Sequence, residues 1–159
     1  MIKIVYAFFI GILLAIFVGM GIAAFYEQPA LPKYPTELNL MGKEPTAQQH
    51  QLQKDFDAKQ EAWNEKMKPY NRNVSIMALV AAVILVAVGL IFDKKIKVIA
   101  DGVMLGGVFT LIYSMGRGFA SNSSKYSFTI VSIGLAIALA LGYMRFVAEK
   151  PMSKSKANN

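Results

Sequence analysis

Four long apolar blocks alternate with polar stretches along the chain. They run from about Ile4 to Tyr26, over residues 74–92, over residues 98–115 and over residues 127–147. A helix needs ~20 predominantly apolar residues to cross the ~30 Å hydrocarbon core of a bilayer. Because lipid offers no partners to backbone N–H and C=O groups, each block should be helical. The pattern predicts an all-α integral membrane protein with four transmembrane helices in a compact bundle.

The first block, within residues 1–26, also has the general form of a secretory signal peptide. A signal peptide has an apolar core of ~7–15 residues behind a basic start. Here the apolar run is longer, and only Lys3 marks the start. We therefore expect this block to be retained as transmembrane helix 1.

Basic residues are distributed unevenly over the segments that connect the blocks. The loop 93–97 and the tail 148–159 are rich in lysine, whereas the short loop 116–126 carries fewer basic residues. Because Lys and Arg collect on the cytoplasmic side, this bias predicts cytoplasmic N and C termini in a cell membrane. The long loop 27–73 is also basic and opposes this orientation, but long segments translocate with less regard to charge. The basic tail is expected to attract anionic lipids.

The long loop is predicted to contain a spacer followed by a helix. Pro29, Pro32 and Pro35 lie three residues apart, as in polyproline II. Such a segment is either a stiff spacer or a ligand for an aromatic groove. After it, a Thr-Ala-Gln-Gln capping box opens a predicted extramembrane helix over about residues 46–68. Pro69 is expected to break or kink the chain before helix 2.

The predicted extramembrane helix is amphipathic and carries a narrow apolar stripe. Its members are Leu52, Phe56, Trp63 and Met67, which fall on one face at 100° per residue. Apolar side chains outside the bilayer need a surface that covers them and shields them from water. The membrane surface, a second copy, a partner protein and the chain's own loops all remain open as that cover.

Small residues recur every fourth position on several of the predicted spans. Lipid tails are as apolar as leucine, so membrane helices associate through close packing, which small residues permit. We expect a tightly packed bundle built on these positions. They are Gly11, Ala15 and Gly19 on helix 1, Gly102 and Gly106 on helix 3, and Gly134, Ala138 and Gly142 on helix 4.

Helix 3 also carries a polar seam, formed by Thr110, Tyr113, Ser114 and Arg117 on one face, with Asp101 at its start. One interpretation is a packing seam whose hydroxyl groups bond to carbonyls one turn back. The other is a crevice for a small anion or lipid head group, with Arg117 at its mouth. Asp101 is either a functional intramembrane charge or a first-turn carboxylate paired with nearby lysines.

The chain lacks the residues that several kinds of chemistry require. It has no cysteine and one histidine, which excludes thiol chemistry and argues against a metal centre or other cofactor. Its layout superficially resembles the thiol-quinone oxidoreductases and the tetraspanins, but both depend on cysteines. No serine stands in a nucleophile motif, so we expect no enzymatic activity. In general layout it resembles small bacterial membrane proteins.

The sequence therefore favours a scaffold, assembly or accessory subunit with an outward amphipathic arm. Its expected partners are the lipid bilayer and either further copies of itself or another membrane protein. The net charge of +7 is explained by positive residues at the cytoplasmic face rather than by nucleic-acid binding. The alternative is a small transporter or channel subunit that uses the polar seam on helix 3.

Overall fold

The computed structural model describes residues 1–36, 47–93 and 96–146. Over these residues the chain is all-helical, without strands, and each of its four helices is long and apolar enough to span a membrane. The coarse prediction of an all-α chain with four such helices is confirmed. The helices are α1 (Ile2–Phe25), α2 (Ala47–Phe92), α3 (Lys97–Phe119) and α4 (Ser124–Phe146).

The longest helix, α2, corrects the prediction for the long loop. Residues 47–68 are helical, but they continue through Pro69 into the apolar block as one helix of 46 residues. Of the predicted break or kink at Pro69, the break is therefore wrong, and the segment predicted as a separate extramembrane helix is the first half of α2. Thr46, the predicted capping residue, lies outside the described residues, as does the basic tail.

A proline inside a helix removes one backbone hydrogen bond and crowds the preceding turn. The residues directly after Pro69 offset this cost, because Tyr70 and Asn71 are each only 5% exposed. The Asn71 side chain donates a hydrogen bond to the carbonyl of Ala120 at 3.2 Å, and the Tyr70 ring stacks on Tyr26. We attribute the continuity of α2 to these contacts.

Helix α3 lies at the centre of the bundle. It packs extensively against α1 and α2 and less extensively against α4. Gly11 of α1 faces Gly102 and Gly106, whereas Gly19 faces Tyr113, so α1 and α3 run parallel. Helix α2 is antiparallel to both, because Gly89 near its C-terminus faces the first turns of α3.

The parallel arrangement of α1 and α3 gives the bundle two chemically different ends. We call the end with Lys3 and Lys97 the lysine end, since both helices begin there. The other is the tyrosine end, where Tyr26, Tyr70 and Tyr126 lie. There α3 passes into α4 through a short turn in which Asn122 adopts a left-handed conformation (φ 55°).

Candidate functional site

The interface between α1 and α3 is built on small residues. A Cβ atom added at Gly102 would lie 3.1 Å from the carbonyl oxygen of Ala7, and one at Gly106 would lie 2.9 Å from Cβ of Leu14. On the facing helix, a Cβ at Gly11 would lie 3.3 Å from the Gly102 oxygen. These distances leave room for hydrogen only, so the backbones approach as closely as the glycine spacing permits.

Helix α3 uses a second small face against α2. A Cβ added at Gly107 would lie 3.1 Å from the Ala82 oxygen and 2.7 Å from Cγ2 of Val86. Toward the lysine end, a Cβ at Gly89 would lie 3.2 Å from the Ala100 oxygen. The small-residue spacing did not single out Gly89, because it is the only glycine of its helix and has no partner four residues away.

The small stripe of α4 forms much less of an interface within the chain than the sequence predicts. A Cβ at Gly134 would lie 3.0 Å from the Leu111 side chain, but one at Gly142 would meet nothing within 4 Å. Ala138 is exposed. On α1, Ala15 is half-buried and Gly19 approaches only the ring of Tyr113. Within the described residues, Ala138 and Gly142 therefore do not form the close helix contact that their spacing predicts.

The hydroxyl groups of Thr110 and Ser114 in the helix 3 seam are buried, and each donates a hydrogen bond. Thr110 Oγ1 donates to the Gly106 carbonyl oxygen at 2.7 Å, one turn back, as the packing interpretation expects. Ser114 instead reaches across to α2, where its Oγ donates to the Ser75 carbonyl oxygen at 2.8 Å. Thr110 and Ser114 are both 0% exposed. They form no open crevice at this depth.

Arg117 is held in a cluster at the tyrosine end. Its Nη1 donates to Oδ1 of Asn71 at 3.0 Å, and its Nε donates to the Tyr113 hydroxyl at 3.2 Å. The guanidinium carbon lies 5.9 Å from the ring centroid of Tyr70 and 5.6 Å from that of Tyr113. Both distances are within the range of cation–π attraction. We refer to Tyr70, Asn71, Tyr113 and Arg117 as the arginine cluster.

Further polar contacts join the arginine cluster to the end of α1. The rings of Tyr26 and Tyr70 stack with centroids 5.2 Å apart. Asn73 donates through Nδ2 to the Tyr26 hydroxyl at 2.8 Å. Nothing in the sequence singled out Asn71 and Asn73, because local spacing does not show which residues of other helices they contact.

The apolar stripe on the first half of α2 is covered in part by the chain itself. Trp63 Nε1 donates to the Pro29 carbonyl oxygen at 2.9 Å, and the rings of Phe56 and Tyr34 meet edge to face at 5.2 Å. We call residues 27–36 the proline strap and residues 47–68 the arm. The remaining stripe residues, Leu52 and Met67, are half-buried, and Met67 lines a cleft beside the α3–α4 turn.

Asp101 lies at the other end of the bundle from Arg117. It is half-buried and lines a cleft with Lys3 and Lys97 at the lysine end. Because Asp101 and Arg117 are sixteen residues apart on one helix, ~24 Å separates them along its axis. The five predicted seam residues therefore belong to three places: the lysine-end cleft, the buried hydroxyl pairs and the arginine cluster.

Within the described residues, His, Asp and Glu form no group of three or more that could hold a metal ion. Comparison with known proteins finds no matching family model, no matching curated protein and no matching solved structure.

Proposed function

We propose that the chain is a non-enzymatic integral membrane scaffold, assembly or accessory subunit that presents the arm on the outer side of a cell membrane. In this proposal the four helices cross the bilayer with both termini cytoplasmic. The lysine end then faces the cytoplasm, and the tyrosine end and the arm face outward. A further copy of the chain or another membrane protein would bind the arm.

The outer faces of α1 and α4 support a membrane location. Large apolar side chains are exposed there, among them Phe17 at 73% and Leu139 at 66%. The hydroxyl groups on the exposed face of α4 bond within the helix: Thr129 to the Lys125 carbonyl and Ser132 to the Phe128 carbonyl. These two hydroxyl groups would therefore not be left unsatisfied against lipid.

The observation that carries the proposal is the continuity of α2 from the arm into the bundle. A continuous helix is rigid, so the bundle fixes the position of the arm. The arm extends this helix by ~33 Å, at ~1.5 Å per residue. The proline strap braces the arm on one side through Pro29 and Tyr34. The other side is exposed and polar, with side-chain hydrogen bonds from Gln51 to Asp55 and from Gln53 to Asp57. This arrangement suits an element that holds a partner at a fixed place relative to the membrane.

The transporter alternative receives less support from the same residues. A substrate path along the seam requires groups that can exchange their partners for the substrate. Thr110 and Ser114 are 0% exposed and already paired. Arg117 is packed between two aromatic rings.

Site-specific crosslinking in native membranes tests the proposal. A photoreactive amino acid replaces Gln60, which is exposed on the arm, and in a separate variant Ile133, which is exposed on α4. We expect Gln60 to give a protein adduct of defined mass and Ile133 to give mainly lipid adducts. Mass spectrometry of the adduct identifies either a second copy or another chain.

A matched pair of variants shows whether that adduct needs the helical arm. Ala58 is exposed on the arm, so Ala58→Pro should break the arm without affecting the bundle, whereas Ala58→Ser should preserve both. The proposal expects the Gln60 adduct to disappear in the first variant and persist in the second. An adduct of unchanged yield in Ala58→Pro, or no protein adduct from the arm at all, would contradict it.

A further inference from the structure

At the lysine end, α1 and α3 enclose a cleft of about 420 Å³. Ala7, which is 5% exposed, closes it on the α1 side where the two helices come into contact. Its walls are apolar and come from both helices, whereas its polar residues are charged. The lining residues are Ile4, Val98 and Leu105 on the walls, with Lys3, Lys97 and Asp101 as the charged groups.

We infer that this cleft binds an anionic phospholipid, with the phosphate between Lys3 and Lys97 and an acyl chain against the apolar wall. The inference rests on the proposed membrane location, which places this end at the level of the lipid head groups. It adds a ligand site that the proposed scaffold role does not require.

Charge favours an anion in the cleft although a carboxylate is present. Two lysines face one aspartate there, so one net positive charge is left. Asp101 follows Lys97 by one helical turn and partly offsets its charge, whereas Lys3 comes from the other helix. Basic pockets between transmembrane helices on the cytoplasmic side are typical lipid head-group sites.

The apolar wall distinguishes a lipid from a free phosphate ion. Ile4 is 75% exposed, and together with Val98 and Leu105 it gives the cleft a surface that a phosphate ion cannot cover. A phospholipid matches both parts, because its phosphate meets the lysines while an acyl chain contacts the wall. An anionic phospholipid is favoured over a zwitterionic one because a zwitterionic head group already carries a positive charge beside its phosphate.

The test compares two variants with equal loss of charge. The full chain is reconstituted with phosphatidylglycerol and phosphatidylcholine, and native mass spectrometry measures the lipid retained by each. Lys3→Gln with Lys97→Gln should weaken phosphatidylglycerol binding by roughly 30-fold, at ~1 kcal/mol for each basic residue. Lys33→Gln with Lys125→Gln, which removes two charges elsewhere, should leave it unchanged. Lys3→Arg with Lys97→Arg should retain it.

Several results would overturn the inference. One is an equal loss in both glutamine pairs; another is equal retention of the two lipids by the unaltered chain. Displacement of phosphatidylglycerol by millimolar inorganic phosphate would show that the cleft takes a free anion instead. Carbonate washing of the source membranes distinguishes failure of the lipid site alone from failure of the proposed function. A chain that washes off is not membrane-embedded, and the proposed function then fails together with the lipid site.

Discussion

Ser75 and Ser114 exchange hydrogen bonds across the interface of α2 and α3. Ser75 Oγ donates to the Ser114 carbonyl oxygen at 2.7 Å, and Ser114 Oγ donates to the Ser75 carbonyl oxygen at 2.8 Å. Both side chains are 0% exposed. Each serine is thus small enough to let the helices approach and polar enough to join them. The seam that suggested a ligand site from the sequence is, at this depth, part of the helix interface.

We predict that Ser75→Ala and Ser114→Ala each destabilise the fold by ~0.5–1 kcal/mol, because interhelical hydrogen bonds in membranes average about 0.6 kcal/mol. Because each hydroxyl donates to a backbone carbonyl that the other replacement retains, the two effects should be close to additive in a double-mutant cycle measured by reversible unfolding in mixed micelles. Ser132→Ala is the control, because Ser132 is exposed and bonds only within its helix. A stability loss no larger than that of Ser132→Ala in either buried replacement would contradict the reciprocal arrangement.

Replacing Gly106 by leucine should disrupt the bundle. The new side chain would begin 2.9 Å from Cβ of Leu14, and overpacking of this kind costs ~1–3 kcal/mol or forces the helices apart. Gly21→Leu is the matched control, because a Cβ there meets nothing within 4 Å. The melting temperature and the protease sensitivity of the two variants in detergent provide the comparison. Equal stability would show that the α1–α3 contact is not close.

The sequence predicted the positions of the helices better than which of their faces pack together. The length of an apolar block and the cost of unpaired backbone N–H and C=O groups in lipid determine where a spanning helix can lie. Each predicted block accordingly falls within one observed helix, and most of its ends agree to within a few residues. Spacing of small residues marks faces that can approach closely. It does not say which face meets which, and Gly142 has the same spacing as Gly106 without a neighbour.

The break predicted at Pro69 is absent for a related reason. A local rule for proline considers the hydrogen bond it removes and the turn it crowds. It does not include the contacts that Tyr70 and Asn71 make with residues 44 to 49 positions away in the chain. The same limit applies to Arg117, whose position at the mouth of a crevice was inferred from one helix. Its hydrogen-bond partner Asn71 belongs to another.

Arg117→Lys should destabilise the tyrosine end even though it preserves the charge. An ammonium group cannot reproduce the forked geometry that joins Asn71 and Tyr113, nor stack in the same way on the rings. Loss of one hydrogen bond from a charged donor predicts a destabilisation of ~1.5–3 kcal/mol. Arg72→Lys, at an exposed position, serves as the control in thermal melts. If Arg117→Lys melted normally but abolished solute flux in proteoliposomes, the transporter alternative would replace the packing interpretation.

Trp63→Phe should loosen the proline strap without unfolding the arm. The ring is retained in part, but the hydrogen bond from Nε1 to the Pro29 carbonyl is lost, at a net cost of ~0.5–1.5 kcal/mol. Tryptic cleavage after Lys33, which is exposed in the strap, should therefore become severalfold faster. Gln60→Ala, an exposed change on the same helix, should leave the cleavage rate unaltered. An unchanged cleavage rate in Trp63→Phe would mean that the strap is held by other contacts.

The orientation can be tested with single cysteines, because the native chain has none. Lys3→Cys places a thiol at the lysine end, and Lys125→Cys places one at the tyrosine end; both positions are exposed. Since the lysine end carries most of the basic residues of the short segments, we expect it to face the cytoplasm. A membrane-impermeant maleimide should then label Lys125→Cys on intact cells and Lys3→Cys only after permeabilisation. The reverse order of labelling would put the arm in the cytoplasm and remove the outward partner from the proposed function.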